Sequence, residues 1–254
     1  VQLREGERID DLLTHQLKII QSDEVFAFSL DAVLLARFCS VPARGRVMDL
    51  CTGNGVIPLL LSTRTKALID SVEIQERLAD MASRNVEMNG LAEQLNVFHG
   101  DLKEIHKQTG TGVYDVVTVN PPYMPVASGD RKANSYIAAA RHEVYCTLED
   151  VIACCSRLLK FGGKAAMVHR PSRLIDIITL MRAYRLEPKR IRFIHPKLGA
   201  EANMVLVEAA KEGKPELRLL PPFIVHEENG AYTAELQRIF EGKQLHLTDG
   251  DQDG

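Results

Sequence analysis

RVMDLCTGNGVIP, residues 46–58, passes from an apolar run through a glycine-rich turn into a second apolar run. Arg46–Leu50 has the composition of a buried strand, and the pattern from Val56 to Thr63 is helical. A strand, a turn carrying Gly53 and Gly55, and a helix start bring backbone amides close to whatever lies above the turn. A dinucleotide fingerprint needs a small third residue where helix packs on strand, and Pro58 stands there. That disfavours a pyrophosphate cofactor, and with it a dehydrogenase.

Outward from this unit, short apolar runs alternate with amphipathic patterns. Strands are expected at Ile69–Ile74, Leu95–Phe98, Tyr114–Val119 and Lys164–His169. Helices are expected at Gln75–Met88, Leu148–Lys160 and Ser172–Tyr184, with Phe161-Gly162-Gly163 as the turn closing the second of these. This alternation predicts stacked βαβ units around a parallel sheet. Arg190–Ile194 and Met204–Ala209 follow without a long helix between them, so the sheet should end in an antiparallel pair. Before the core, LKIIQSDEVFAFS (17–29) reads as a hairpin, with Ser29 capping a helix that carries Asp31 in its first turn. After it, residues 221–240 read as a strand, a turn at Asn229-Gly230 and a helix, followed by an acidic tail. The organisation expected is an N-terminal hairpin and helix over 1–40, a core over 41–210 and an extension over 211–254, all in one domain.

The 254 residues are 45% hydrophobic, enough for one full-sized core, and the net charge of -3 gives no global attraction to a polyanion. Cys39, Cys51, Cys146, Cys154 and Cys155 lack CxxC spacing, which argues against a disulfide framework and against zinc or another structural metal. No apolar stretch approaches the about 20 residues a membrane span requires, so a cytoplasmic protein is expected.

Three carboxylates end three successive strands: Asp49, Glu73 and Asp101. Glu73 lies about 20 positions beyond the first strand, where such folds hold a ribose. Asp101 could accept from the exocyclic amine of an adenine. Taken singly, the two glycines fit a plain tight turn and the carboxylates fit solvated strand ends. Their joint spacing favours an adenosine carried without phosphates.

The strand Tyr114–Val119 leads into Asn120-Pro121-Pro122-Tyr123. Two prolines fix φ and keep Asn120 out of the helical region, so the side chain and the next carbonyl are held in place before any ligand arrives. With DLCTGNG (49–55), VEI (72–74) and GDL (100–102), this NPPY stretch resembles the ordered motifs of class I S-adenosylmethionine-dependent methyltransferases that methylate amino groups. The resemblance implies a Rossmann-like fold with a mostly parallel seven-stranded sheet, an antiparallel edge strand and helices on both faces. It implies S-adenosyl-L-methionine bound by Phe28, Ser29, Asp49, Cys51, Thr52, Gly53, Gly55, Glu73, Ile74, Asp101, Leu102 and Asn120. Cys51 departs from the family, which usually has glycine there.

It further implies that Asn120 and the Pro121 carbonyl accept from a planar NH2, with Pro122 stiffening the stretch and Tyr123 stacking on the ring. Such a nitrogen is a poor nucleophile because its lone pair is delocalised, and acceptors out of its plane favour a pyramidal, reactive geometry. NPPY is shared by enzymes acting on adenine N6 in DNA, on amines in RNA and on glutamine amides in proteins. Phe26–Ala32, Ala140–Glu143, His169-Arg170-Pro171, Ile194–Lys197 and Glu201–Asn203 are similar to the branch that methylates N6 of the adenine 3′ of the anticodon in a valine tRNA. Arg141, His142, Arg170, Arg190 and Arg192 are then expected to hold tRNA, within a basic set that includes Arg131, Lys132, Arg182, Arg185, Lys189 and Lys197. A solvated basic surface is the competing reading of that set. A non-catalytic cofactor-binding scaffold is disfavoured by the intact NPPY. Met124–Arg141 is expected to be a loop that orders over substrate.

Overall fold

The structure is a computed structural model, described here for residues 1–12, 16–22, 30–123 and 145–241. It opens with β1 (Arg8–Asp11), β2 (Lys18–Gln21) and α1 (Leu30–Phe38). The first half of the core follows as β3 (Arg46–Leu50), α2 (Val56–Ser62), β4 (Leu68–Glu73), α3 (Glu76–Met88), β5 (Leu95–His99), α4 (His106–Thr109) and β6 (Tyr114–Val119). The second half comprises α5 (Leu148–Leu158), β7 (Leu159–His169), α6 (Leu174–Ala183), β8 (Leu186–Lys197) and β9 (Met204–Lys211). Two short strands, β10 (Arg218–Leu219) and β11 (Phe223–His226), and α7 (Ala234–Phe240) complete it.

The main sheet has nine strands in the order β10-β8-β9-β7-β6-β3-β4-β5, with β11 also pairing β8. From β5 to β7 every pairing is parallel. The antiparallel strand is β9, and it sits between β7 and β8 rather than at the edge. Its first six residues are all buried, which is why its sequence is continuously apolar apart from Glu208. The expected seven strands are present, and β10 and β11 extend the sheet beyond β8 in parallel.

Strand alternation sorts the core into two layers. Val47, Val116, Val168 and Leu206 face a cluster with α1 and α2, while Met48, Val117, Met167 and Val207 face a cluster with α5 and α6. α5 begins where Thr147 caps it, its side chain accepting from the Asp150 amide while Asp150 returns a bond to the Thr147 amide.

Two expectations need correction. The Phe161-Gly162-Gly163 segment is not a turn: α5 ends at Leu158 and β7 begins with the next residue. Gly162 has φ 74 and the register shifts between Tyr114 and Val116, so the glycines serve a strand irregularity instead. The described N-terminal hairpin starts earlier than 17–29, because β2 pairs backwards with β1 in the register Arg8↔Gln21 to Asp11↔Lys18. β1 is charged and mostly exposed, with no apolar alternation to reveal it. Residues 23–29 lie outside the described residues. Among the described residues, no helix is long and apolar enough to cross a membrane.

Candidate functional site

The carboxyl ends of β4, β3, β6 and β7 lie side by side at one edge of the sheet. Above β3 the chain turns through left-handed backbone at Cys51 (φ 55), Gly53 (φ 58) and Gly55 (φ 86). A Cβ on Gly55 would meet Ala82 Cβ at 3.3 Å, so this glycine allows α3 to approach; a Cβ on Gly53 would meet nothing within 4 Å. Gly53 therefore borders open space, and the turn leaves room for a ligand against its backbone. Cys51 takes a conformation that favours glycine, which explains the family's usual choice there. Its thiol is pushed well up by its hydrogen bond with the Cys146 thiol and by burial.

Glu73 fastens this turn. It is 5% exposed, accepting from the Gly53 amide at Oε2 (2.9 Å) and from the Gln75 amide at Oε1 (2.9 Å). Burial raises its pKa against those backbone bonds. Each carboxylate oxygen keeps a further lone pair, so a ribose diol can still be accepted. Beside it is a small recess whose lining includes Cys51, Glu73, Ile74, Asp101, Leu102 and Cys146. Asp101 accepts from the Lys103 amide (2.9 Å) and lies 3.4 Å from its ammonium, with the carboxylate partly in solvent. Asp49 is fully buried, accepts from the Thr118 hydroxyl (2.6 Å), and is pushed up to about 7 by burial. Thr52, next in the turn, donates its amide to Val72 O.

Leu50 pairs with Val119, so Asn120 emerges beside Cys51. Pro121 is buried, whereas Asn120, Pro122 and Tyr123 are half-buried. The Tyr123 hydroxyl donates to Asp31 on the first turn of α1 and also meets Asn120 Oδ1 at 2.6 Å. Its ring lies 5.1 Å from the His169 ring at 58°, and the Arg170 guanidinium stands 5.3 Å from its centroid. Burial holds His169 down at about 4, so it is neutral at pH 7, and its Nδ1 accepts from the Arg170 amide. Sequence reasoning missed Asp31 as a site residue and gave the Tyr123 hydroxyl no task; only the packing of α1 onto the sheet joins residues 92 positions apart.

The basic residues divide. Arg170 is exposed beside Tyr123 and donates to Asn203 O (3.0 Å), and Lys197 is exposed at the end of β8 on the same edge. Arg190 and Arg192 are corrections. Arg190 is buried in an ion pair with Glu208 (2.9 Å), and Arg192, 4% exposed, is held by Pro221 O and Glu235. Neither side chain can reach a substrate without abandoning these partners. Arg182, Arg185 and Lys189 sit where β8 begins, at the opposite edge, bonded to Glu187, Glu212 and Lys214 O. Phe28, Ser29, Arg131, Lys132, Arg141, His142 and the rest of Met124–Arg141 lie outside the described residues.

Residues 16–174 match the Methyltransferase small domain. The chain is 26% identical over 211 residues to the tRNA1(Val) (adenine(37)-N6)-methyltransferase of Aeromonas salmonicida, covering 80% of this chain and 84% of that one. It is 26% identical over 235 residues to the protein of the same name from Porphyromonas gingivalis W83, covering 89% and 91%. Among solved structures, an Agrobacterium tumefaciens protein described as a predicted O-methyltransferase superposes with TM-score 0.69 at 24% identity, covering 87% of this chain and all (100%) of that one. The geranyl diphosphate C-methyltransferase of Streptomyces coelicolor A3(2), solved with S-adenosyl-L-homocysteine, gives TM-score 0.53 at 15% identity over 71% of this chain and 79% of that one.

Proposed function

The chain belongs to the Methyltransferase small domain family, and we propose that it transfers a methyl group from S-adenosyl-L-methionine to N6 of the adenine 3′ of the anticodon in a tRNA, with tRNA1(Val) as substrate. The observation that carries this reading is the position of Asn120-Pro121-Pro122-Tyr123 at the end of β6, one strand from the glycine turn of β3. The relatives of the same name, spanning most of the chain, support the choice of substrate.

The cofactor supplies an electrophilic methyl on a sulfonium. The residues fit it: Gly53 leaves the turn open, Glu73 has acceptor capacity for the ribose, and Ile74, Asp101 and Leu102 border one recess with the apolar walls and single carboxylate that an adenine edge and its amine would use. Asn120 Oδ1 and the Pro121 carbonyl accept from the target amine and draw its lone pair out of conjugation. Tyr123 offers its ring to the base, and the neutral His169 supports that ring. A loop adenine can be splayed out without opening a duplex and presented to a residue at the edge of a sheet. Incubation with labelled cofactor and unmodified tRNA, followed by nucleoside mass spectrometry, should give N6-methyladenosine. Label in duplex DNA or in a glutamine-bearing protein, with tRNA left blank, would sink the reading.

Three outcomes follow for individual residues. Glu73→Ala should weaken S-adenosylhomocysteine binding by about 1.5–3 kcal/mol, the range for hydrogen bonds to a charged group. Because the Gly53 and Gln75 amides lose their acceptor too, the thermal midpoint should also fall; calorimetry on the folded variant separates the two effects. Unchanged affinity removes Glu73 from the ribose site.

Asp49, raised from the ordinary 3.8 to about 7, keeps its proton in the free protein below neutrality. The folded chain then holds more protons than the unfolded chain between those values, so this group's stabilising contribution is lost as pH rises through about 7. Cofactor binding has the opposite sign. The cationic S-adenosylmethionine favours the carboxylate, so its affinity should rise by up to about tenfold per pH unit below the pKa and level off above it. Neutral-sulfur S-adenosylhomocysteine should show a shallower slope by calorimetry; equal slopes would detach Asp49 from the sulfonium.

Arg170 and Lys197 replace Arg190 and Arg192 as the phosphate contacts. Neutralising both should flatten the log–log salt dependence of tRNA binding by roughly 0.7 per lost single-strand contact, leaving cofactor affinity unmoved. An unchanged slope would exclude this edge.

A further inference from the structure

The Tyr123 hydroxyl has one proton and meets two oxygens, Asp31 Oδ2 and Asn120 Oδ1, the latter at 2.6 Å. A carboxylate only accepts, and bonds to a charged acceptor are roughly twice as strong as neutral ones, so the phenol donates its proton toward Asp31 and keeps it. That leaves the phenol oxygen with lone pairs toward Asn120, where a second acceptor oxygen would repel it. An amide's two ends have nearly the same shape, and the hydrogen-bond network decides which end stands where. Turned end for end, Asn120 donates Nδ2–H to the phenol oxygen, and its own oxygen faces the other way.

We propose that Asp31 is a positioning residue for methyl transfer: through the Tyr123 hydroxyl it fixes the Asn120 amide so that Oδ1, not Nδ2, faces the target amine. The proposal rests on the reading of Asn120 as the acceptor of that amine. The direction matters because a target NH2 has two donors and a lone pair committed to the methyl. An amide NH2 turned toward it would set donor against donor, with the desolvation cost of an unmade buried bond.

The packing suits a fixed relay. Asp31 is 6% exposed, and its Oδ1 accepts from the Ala32 amide (2.8 Å), which holds the carboxylate on the helix turn. His169, 1% exposed, braces the Tyr123 ring. Burial and the Asp31 charge together push the phenol pKa well up, so the proton stays on Tyr123 throughout the neutral range. α1 thereby does more than cover the sheet: its first turn reaches the reacting edge.

The test has one arm that needs no substrate. In labelled free protein, the Asn120 side-chain amide protons should exchange slowly with solvent by NMR and exchange fast in Tyr123→Phe and Asp31→Ala. Fast exchange in the unaltered protein overturns the proposal whatever the substrate is. In the kinetic arm, Asp31→Ala should lower kcat on tRNA by about tenfold or more while KM and S-adenosylhomocysteine affinity stay within about twofold, the pattern of a group acting in the transition state. Asn120→Asp alone should be worse, because two carboxylates then compete for one phenol proton. The paired swap Asp31→Asn with Asn120→Asp lets the phenol donate to residue 120 and accept from residue 31, so it should exceed Asn120→Asp several-fold. Asn120→Asp at full activity, a swap no better than it, or Asp31→Ala at full kcat overturns the relay. Slow amide exchange in a protein that leaves tRNA unmethylated retains the relay and removes the substrate reading.

Discussion

Asn120→Ala is expected to lower turnover by about 10²–10³-fold while leaving S-adenosylhomocysteine affinity nearly intact, the cost of removing one preorganised acceptor from a charge-developing transition state. The separation of rate from binding follows from position. Asn120 follows β6, whereas the residue proposed for the ribose ends β4 and those proposed for the adenine follow β4 and β5. The Pro121 carbonyl remains as a second acceptor, so residual activity should survive. Tyr123 keeps Asp31 as a partner, so the fold should not suffer. Single-turnover rates with labelled cofactor, beside calorimetry on the same preparation, make the comparison. If affinity and rate fall together, Asn120 is a strut of the turn, and the NPPY stretch at this site is structural.

What could be read from the sequence and what could not divide along the reach of the interactions. β3, β6 and the start of α5 were legible because their signals are local: apolar runs of strand length, a turn with glycines, and an amphipathic helical pattern from Leu148. Glu73 and Asp101 were legible because strand ends in a βαβ fold fall on one edge whatever the detailed packing. β1 was not, since a charged strand paired on an exposed hairpin has no periodic apolar face. The Tyr123–Asp31 bond was invisible for a different reason: it joins residues far apart in the chain, and nothing in either segment names the other. Asp31 instead fitted a local explanation, a carboxylate near a helix start, and that explanation concealed the tertiary one.

Arg190 and Arg192 misled because charge density in a sequence carries no sign of burial. Arg190→Met should destabilise the protein by about 3–5 kcal/mol, the range for breaking a buried ion pair on one side, and should leave the salt dependence of tRNA binding unchanged. The cost arises at Glu208, 2% exposed, which accepts from Arg190 Nε (3.1 Å), lies 2.9 Å from Nη2 in the ion pair, and also accepts from the Ser40 amide (2.7 Å). Arg190 Nη2 bonds Phe38 O (3.1 Å) and Ser40 Oγ (2.9 Å) as well, so one guanidinium ties β8 and β9 to the end of α1. Lys164, 3.9 Å from Glu208, is too distant and too exposed to replace it. With a rise of about 1.5 Å per residue, the run from Asp31 to Phe38 puts this end of α1 about 11 Å along the helix from the Asp31 turn. The ion pair anchors the far end of the helix whose near end holds Tyr123. Adding Glu208→Gln to Arg190→Met removes the stranded charge and should restore much of the lost stability, as partners in a network are not additive. Denaturant titration of the two variants, with tRNA binding measured across salt, decides the matter: full stability with a shallower salt slope would return Arg190 to the RNA surface.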